Sequence, residues 1–154
     1  MSLFTILQIS SQGMTAQRER LETASANLAN AHSTRTSEGG PYRRRDILFE
    51  TVAIQEGSSP FSDATSGSLF ADVTAGVPQG VRASTELAGT DKFIKRYDPG
   101  HPDADADGYV KLPDVDPLEE TVNMISAARS FEANATAFNT AKELARATLK
   151  LGES

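Results

Sequence analysis

The residues best suited to chemistry form an acidic turn in the second half of the chain. Asp103, Asp105, Asp107 and Gly108 match positions 1, 3, 5 and 6 of an EF-hand calcium loop. Asp114 stands at position 12, where the pattern requires the longer Glu to bind the ion through both oxygens. Prolines on both sides oppose the helices that flank such a loop. We interpret the segment as an acidic turn before a strand, and a calcium loop is the weaker alternative.

Other reactive groups are sparse. The chain has no Cys, which excludes disulfides, thiol catalysis and Cys-based zinc sites. Its two histidines, His32 and His101, are too few and too far apart to indicate an imidazole metal site. No nucleophile elbow surrounds a Ser, and no glycine-rich phosphate loop joins a strand to a helix. We therefore expect no catalytic site, cofactor or small-molecule substrate, and we predict that the protein is not an enzyme.

Charge is distributed unevenly along the chain. Six Arg and three Glu give residues 1–45 a net charge of +3, whereas eight acids and one Lys give residues 98–120 a net charge of −7. The overall charge of −6 argues against a nucleic-acid partner, because phosphate contacts need a basic face. We expect the Arg43, Arg44 and Arg45 run and the acidic segment to meet other protein subunits. Solvated charged faces are the simpler alternative.

A long amphipathic helix is predicted over residues 2–31. Leu7, Met14, Leu21 and Leu28 recur every seven residues in a segment without Pro. A neighbouring row on the same helix face consists of Leu3, Ser10, Gln17, Ala24 and Ala31. At 1.5 Å per residue this helix would be about 45 Å long.

A second long helix is predicted from Pro117 to Leu151. Asp116 is a typical N-cap, and Glu119 and Glu120 favour the positive end of the helix. Its stripe alternates spacings of four and three through Met124, Ala128, Phe131, Ala135, Phe138, Lys142, Ala145 and Leu149. We predict that the two helices pair as an antiparallel or slanted coiled coil. In this pairing the Leu7, Met14, Leu21 and Leu28 row faces Phe131, Phe138, Ala145 and Leu149.

The middle of the chain is predicted to be rich in β-structure. Candidate strands are Ile47–Ile54, Val77–Leu87, Lys92–Tyr97 and Tyr109–Leu112. The predicted class is α+β, with residues 1–31 and 116–154 as paired terminal helices and 32–115 as a β-rich insertion. A flexible loop is expected near residues 55–80, which are rich in Ser and Gly. The apolar fraction of 38% is concentrated in the terminal stripes, so we expect part of the core to form between chains.

Neither a membrane span nor a cleaved signal peptide is expected from the sequence. No apolar run approaches the roughly 20 residues that cross a bilayer. The first residues lack the basic region and the small-residue cleavage site of a secretory signal.

Three segments resemble axial proteins of the bacterial flagellum. Residues 25–31 resemble the SxNLAN motif of that rod and hook family, in which Asn27 and Asn30 can bind backbone groups and Leu28 faces the seam. A second segment is similar to the signature of its C-type proximal rod subunits at Tyr97, Asp98, Pro99, Gly100, His101, Pro102, Gly108, Tyr109, Val110 and Pro113. Residues 115–142 resemble the C-terminal helix of the same subunits, whereas residues 55–80 match least well.

The resemblance implies a structural subunit of the proximal rod of the flagellar basal body. Such subunits leave the cytoplasm through the flagellar type III export apparatus without a cleaved signal. They assemble helically within the periplasm into a shaft that transmits torque from motor to hook. The implied partners are copies of the chain, other rod proteins, the adaptor on the side of the MS ring and export gate, and the distal rod. Alternatives are a B-type rod or hook-associated subunit and, from the acidic turn, a calcium-binding periplasmic protein.

The residues expected at helix–helix and subunit interfaces follow from the stripes, the motif and the resemblance of the C-terminal helix to the family. They are Leu7, Met14, Leu21, Asn27, Leu28, Asn30, Met124, Ile125, Phe131, Asn134, Phe138, Ala145 and Leu149.

Overall fold

The computed structural model describes residues 3–37, 39–54, 79–87 and 93–152. In chain order its elements are α1 (Leu3–Ala29), β1 (Arg45–Ala53), β2 (Gln79–Leu87), β3 (Phe93–Tyr97), β4 (Tyr109–Pro113) and α2 (Pro117–Gly152). The α+β class, the two long terminal helices and the β-rich middle are confirmed. The loop predicted near 55–80 lies outside the described residues, except for Gln79 and Gly80, which begin β2.

Both long helices form where the local sequence favours them. The described part of α1 contains no Pro and a single Gly, Gly13. The start of α2 is capped as predicted, because the Asp116 carboxylate accepts a 2.8 Å hydrogen bond from the Leu118 amide. Pro117 occupies the first helical position, where its missing N–H leaves no internal bond unmade.

The strands form two antiparallel pairs. β1 pairs with β2 along its whole length, from Arg45 opposite Leu87 to Ala53 opposite Gln79. β3 pairs with β4 from Phe93 opposite Pro113 to Tyr97 opposite Tyr109. The four predicted strands are confirmed within the described residues, with ends that differ from the prediction by one or two positions.

The β3–β4 connection depends on one glycine. Gly108 has a φ of +79°, in the left-handed region that favours Gly. A Cβ at this position would also lie 3.0 Å from the Tyr97 ring. That ring contacts Tyr109 edge to face, with 5.4 Å between ring centres. Gly108 is therefore favoured both by the turn conformation and by the position of the aromatic pair.

The centre of the fold lies where α1 packs against α2, with β1 and β2 beside α1. The buried residues of this region are mostly small: Ser10, Gly13, Ala16, Ala24, Ala31, Ala127 and Ala141. Small side chains allow the backbones of two helices to approach closely. Among the helices described, none combines the length and apolar content that a bilayer-spanning segment needs.

The buried row of α1 differs from the predicted one. Ser10, Ala24 and Ala31 of the neighbouring row are buried, whereas Leu7 and Leu21 of the leucine row are half-buried. The two rows are about 60° apart on the helix, so a close approach centred on small residues moves the larger ones to its flank. The leucine row that was predicted to face α2 therefore lies at the edge of the contact.

Candidate functional site

The candidate functional site is the helix pair together with the polar groups that tie it to the middle of the chain. Arg20 of α1 donates a 3.0 Å hydrogen bond from Nη2 to Oδ1 of Asn123 in α2. Farther along, Gly13 of α1 lies against Asn134 of α2. Residue numbers fall in one helix as they rise in the other, so the helices pack antiparallel.

The two helices approach each other closely at Gly13, the single glycine of α1. A Cβ there would lie 2.8 Å from Oδ1 of Asn134, closer than normal contact allows. The Asn134 side chain is held in place, because its Nδ2 donates a 2.9 Å hydrogen bond to the carbonyl oxygen of Ser130. Gly13 therefore provides the space that the Asn134 side chain occupies between the helices.

The predicted stripe of α2 only partly faces α1. Met124, Phe138 and Ala145 are half-buried. Leu149 is 70% exposed, so its predicted burial against α1 is wrong within one chain. Ile125 is also exposed, about half a turn around the helix from the buried Ala127. As contacts between subunits, these residues remain a proposal.

Asn27 connects the end of α1 to the start of β1. Its side chain is 1% exposed. Oδ1 accepts hydrogen bonds from the Tyr42 hydroxyl at 3.0 Å and from the Arg45 amide at 2.9 Å. Nδ2 donates to the Arg45 carbonyl oxygen at 2.8 Å. One amide group therefore satisfies both backbone polar groups of Arg45 and a buried phenol.

The other members of the motif play local roles. Asn30 donates from Nδ2 to the Ala26 carbonyl oxygen at 2.9 Å and accepts a hydrogen bond from the Ser33 hydroxyl at 3.2 Å. Leu28 is half-buried beside the helix contact. The ability of both asparagines to bind backbone groups is confirmed, and only Asn27 reaches a distant segment.

Arg44 forms ion pairs inside the chain. Its Nε lies 2.8 Å from Oε1 of Glu120, and its other nitrogens lie 3.3 Å from Glu119 and 3.0 Å from Asp46. Glu120 is 2% exposed, so this pair places a buried carboxylate against a half-buried guanidinium. Arg44 is therefore engaged inside the chain, whereas Arg43 and Arg45 are exposed, and contact of the arginine run with other subunits stays a prediction.

The titration of this region follows from its charges and burial. Burial lowers the pKa of Arg44, but its hydrogen bond to Glu120 and the neighbouring carboxylates raise that pKa above its ordinary value overall. Burial raises the pKa of Tyr42, with Arg45 lowering it and Glu120 raising it further.

We call Asn27, Tyr42, Arg44, Arg45 and Glu120 the polar junction, because they join α1, β1 and α2.

The acidic turn is organised by internal hydrogen bonds. Oδ1 of Asp105 accepts from the amides of Asp107 and Tyr109 at 3.1 and 2.8 Å. Oδ2 of Asp103 accepts from the Thr34 hydroxyl at 2.7 Å. Asp114 is exposed beyond the end of β4. In the part of the chain that the structure describes, no three acidic or imidazole groups lie close enough together to hold a metal ion.

The remaining signature residues shape the β3–β4 hairpin. The Asp98 amide donates to the Gly108 carbonyl oxygen at 2.9 Å, and the His101 imidazole accepts from the Asp103 amide at 3.1 Å. Val110 is 1% exposed and Pro113 is also buried. Between Asp98 and Asp103, the exposed Pro99, Gly100 and Pro102 lie in the turn. The signature segment therefore serves the architecture of the hairpin.

Several contacts of the site were missed by sequence reasoning. They are Arg20 with Asn123, Gly13 with Asn134, Tyr42 with Asn27, and Arg44 with Glu120. A lone Gly in a long helix was an available signal of close approach. The others join residues that are between 15 and 103 positions apart, and their pattern carries no local signal.

Comparisons with known proteins agree at both ends of the chain. Residues 7–35 match the family described as flagella basal body rod protein, and residues 106–151 match the one described as flagellar basal body rod FlgEFG protein C-terminal. The flagellar basal-body rod protein FlgC of Borreliella burgdorferi is 39% identical, covering 98% of each chain. The FlgC proteins of Escherichia coli O157:H7 and Bacillus subtilis are 40% and 38% identical, covering 99% of this chain and 100% of theirs.

Proposed function

Because this chain belongs to the family of flagellar basal-body rod proteins, we propose that it assembles helically into the proximal drive shaft that carries torque from motor to hook. It is a structural subunit of the basal-body rod and acts in motility together with other rod proteins. The observation that carries this function is the similarity of 38–40% identity over nearly the whole chain to basal-body rod proteins.

The polar junction supports a mechanical role. It fixes the end of α1 and the start of α2 to β1 through Asn27 and Glu120. Because the bonded groups are buried or half-buried, turning the helix pair against the β-rich part would break several bonds at once. We infer that the junction makes the subunit stiff, so that rotation passes between its inner and outer parts.

The finer features of the function are part of the same proposal. The subunit is exported by the flagellar type III apparatus without a cleaved signal and lies in the periplasmic section of the rod. Its neighbours are copies of itself, the adaptor beside the MS ring and the distal rod. It performs no catalysis, which agrees with the naming of its relatives as basal-body rod proteins. The α2 stripe, including Phe131, contacts these neighbours.

Deletion of the gene and complementation test the proposal. We expect the deletion strain to be non-motile and the chain to co-purify with isolated basal bodies after complementation. Phe131→Asp should prevent rod assembly, because a charge buried without a partner costs several kcal/mol. Phe131→Leu is the matched control and should preserve motility. Basal bodies that assemble without the chain would refute the function, and normal motility with Phe131→Asp would refute the proposed interface.

A further inference from the structure

The first turns of α2 carry an apolar stripe that faces away from α1. Leu118, Val122 and Ile125 follow at helical spacings of four and three and are 72%, 58% and 51% exposed. The opposite face carries the buried Glu120 and Ala127. We call these three residues the outer stripe. Large aliphatic side chains at this spacing on an exposed face are typical of a helix-binding surface.

The other end of α2 extends past its partner helix. α1 has 27 residues and α2 has 36. With Gly13 beside Asn134, the described start of α1 at Leu3 reaches the level of about residue 144 of α2. Residues 145–152, which we call the overhang, therefore continue the α1-facing side of α2 beyond the described part of α1. Leu149 follows the half-buried Ala145 on that side but is 70% exposed.

The two ends of α2 have opposite charge. The last third of the helix carries Lys142, Arg146, Lys150 and Glu143. Around its start lie the exposed Asp114, Asp116 and Glu119. An apolar basic end and an apolar acidic end of one helix are complementary.

Resting on the proposed rod function, we propose that the overhang of one copy docks on the outer stripe of the next copy, head to tail. The partner is a second copy, because the basic, apolar C-terminal end of α2 is complementary to the acidic, apolar surface around the start of the same helix. Leu149 packs against Leu118 and Val122, and Lys150 lies near Asp114. The contact joins two different surfaces, so it propagates along an open series of subunits and does not close into a symmetric dimer.

A disulfide experiment tests this contact, because the natural chain has no Cys. In one chain, positions 118 and 149 lie about 45 Å apart along α2, far beyond the roughly 7 Å that a disulfide can bridge. Isolated basal bodies with Leu118→Cys and Leu149→Cys together should form disulfide-linked multimers of the subunit on oxidation. Basal bodies with either single substitution should form none.

Matched variants separate proximity from chance. Glu132→Cys with Leu149→Cys places the first thiol on an exposed part of α2 outside the outer stripe and should give no multimers. Multimers at a similar yield with this pair would overturn the proposal. Dimers from Leu118→Cys alone would indicate a symmetric contact and would also overturn it. A product that joins the chain to a different rod protein, without self-multimers, would reject a second copy as the partner.

Charge exchange in the double-Cys chain tests the polar part of the contact. Added to the double-Cys chain, Asp114→Lys should lower the multimer yield by up to about fivefold, and combining it with Lys150→Asp should restore the yield. Unchanged yield in the single charge variant would contradict the polar part of the contact. If the double-Cys strain is motile but gives no multimers, the contact is wrong and the rod function stands. If it is non-motile, the salt-sensitive self-association of the purified chain is measured instead. If Lys150→Asp does not restore the association lost with Asp114→Lys, the contact is overturned.

Discussion

Replacement of Asn27 by Ala should be among the most destabilising single changes at the polar junction. The change removes two accepted hydrogen bonds and one donated bond, with partners at 2.8–3.0 Å. It leaves the Tyr42 hydroxyl and both backbone groups of Arg45 without this partner in a partly or fully buried site. At about 1 kcal/mol for each bond, the expected loss is about 3 kcal/mol. Such a loss is a large part of the roughly 5–15 kcal/mol that stabilises a typical domain.

The matched control is Asn30→Ala in the same motif. Both substitutions place Ala at the end of α1, with Asn27 in its last turn and Asn30 one residue beyond it. Asn30 is half-buried, so its two bonds, to Ala26 and Ser33, should contribute only about 0.5 kcal/mol each, and their loss should cost about 1 kcal/mol. The difference between the two variants, about 2 kcal/mol, therefore isolates the connection between α1 and β1.

Urea unfolding of the purified full-length variants, followed by circular dichroism, measures the difference. In thermal unfolding, the extra loss for Asn27→Ala should lower Tm by about 4–8 °C more than Asn30→Ala. Asn27→Asp is a further check, because its second carboxylate oxygen would replace the donor that lies 2.8 Å from the Arg45 carbonyl oxygen. Equal unfolding free energies for the Asn27→Ala and Asn30→Ala variants, within about 0.5 kcal/mol, would refute the assignment.

Three further changes follow from the same geometry. Arg44→Ala should cost about 3–5 kcal/mol in unfolding free energy, because it leaves a buried glutamate unpaired, whereas Arg43→Ala should change it by less than about 0.5 kcal/mol. Gly13→Ala should destabilise the helix pair despite the better helix propensity of Ala, and Asn134→Ser in the same chain should recover part of the loss. Stability should fall as the pH rises above about 10, because the folded state raises the pKa of Tyr42 and disfavours its ionised form.

Each of these has a defined contrary result. Equal costs for the two arginine variants would show that the internal ion pairs contribute nothing measurable. A more stable Gly13→Ala chain would show that the Asn134 side chain moves aside at no cost. For the alkaline titration, Tyr42→Phe is the control, and an unchanged slope of stability against pH in that variant would assign the effect to other groups.

The sequence predicted the elements whose causes are local. Asp116, Pro117 and the acidic first turn of α2 lie within five positions of one another, so their capping role was readable directly. The strands also followed from short apolar runs, whereas their pairing was not predicted. The ion pair of Arg44 with Glu120 spans 76 positions, and no periodicity in the sequence connects them.

The helix contact shows why pattern reasoning was only partly right. The heptad argument placed the leucine row of α1 opposite α2. In the folded chain, close approach at Gly13 and Ala24 gives the central position to small residues instead. Choosing between two adjacent rows requires the distance between the helix axes, which depends on both helices together.

The distribution of side-chain size between the inside and outside of the helix pair has a further consequence. Inside, alanine, serine and glycine determine how the two helices fit, while Leu118, Val122 and Leu149 lie outside. Under the proposed contact, changes in the outer leucines would alter the binding between subunits without disturbing the fold of each one. Substitutions during evolution can therefore change the binding surface and the fold of such a molecule independently. A subunit can gain a new binding partner while its own fold stays the same.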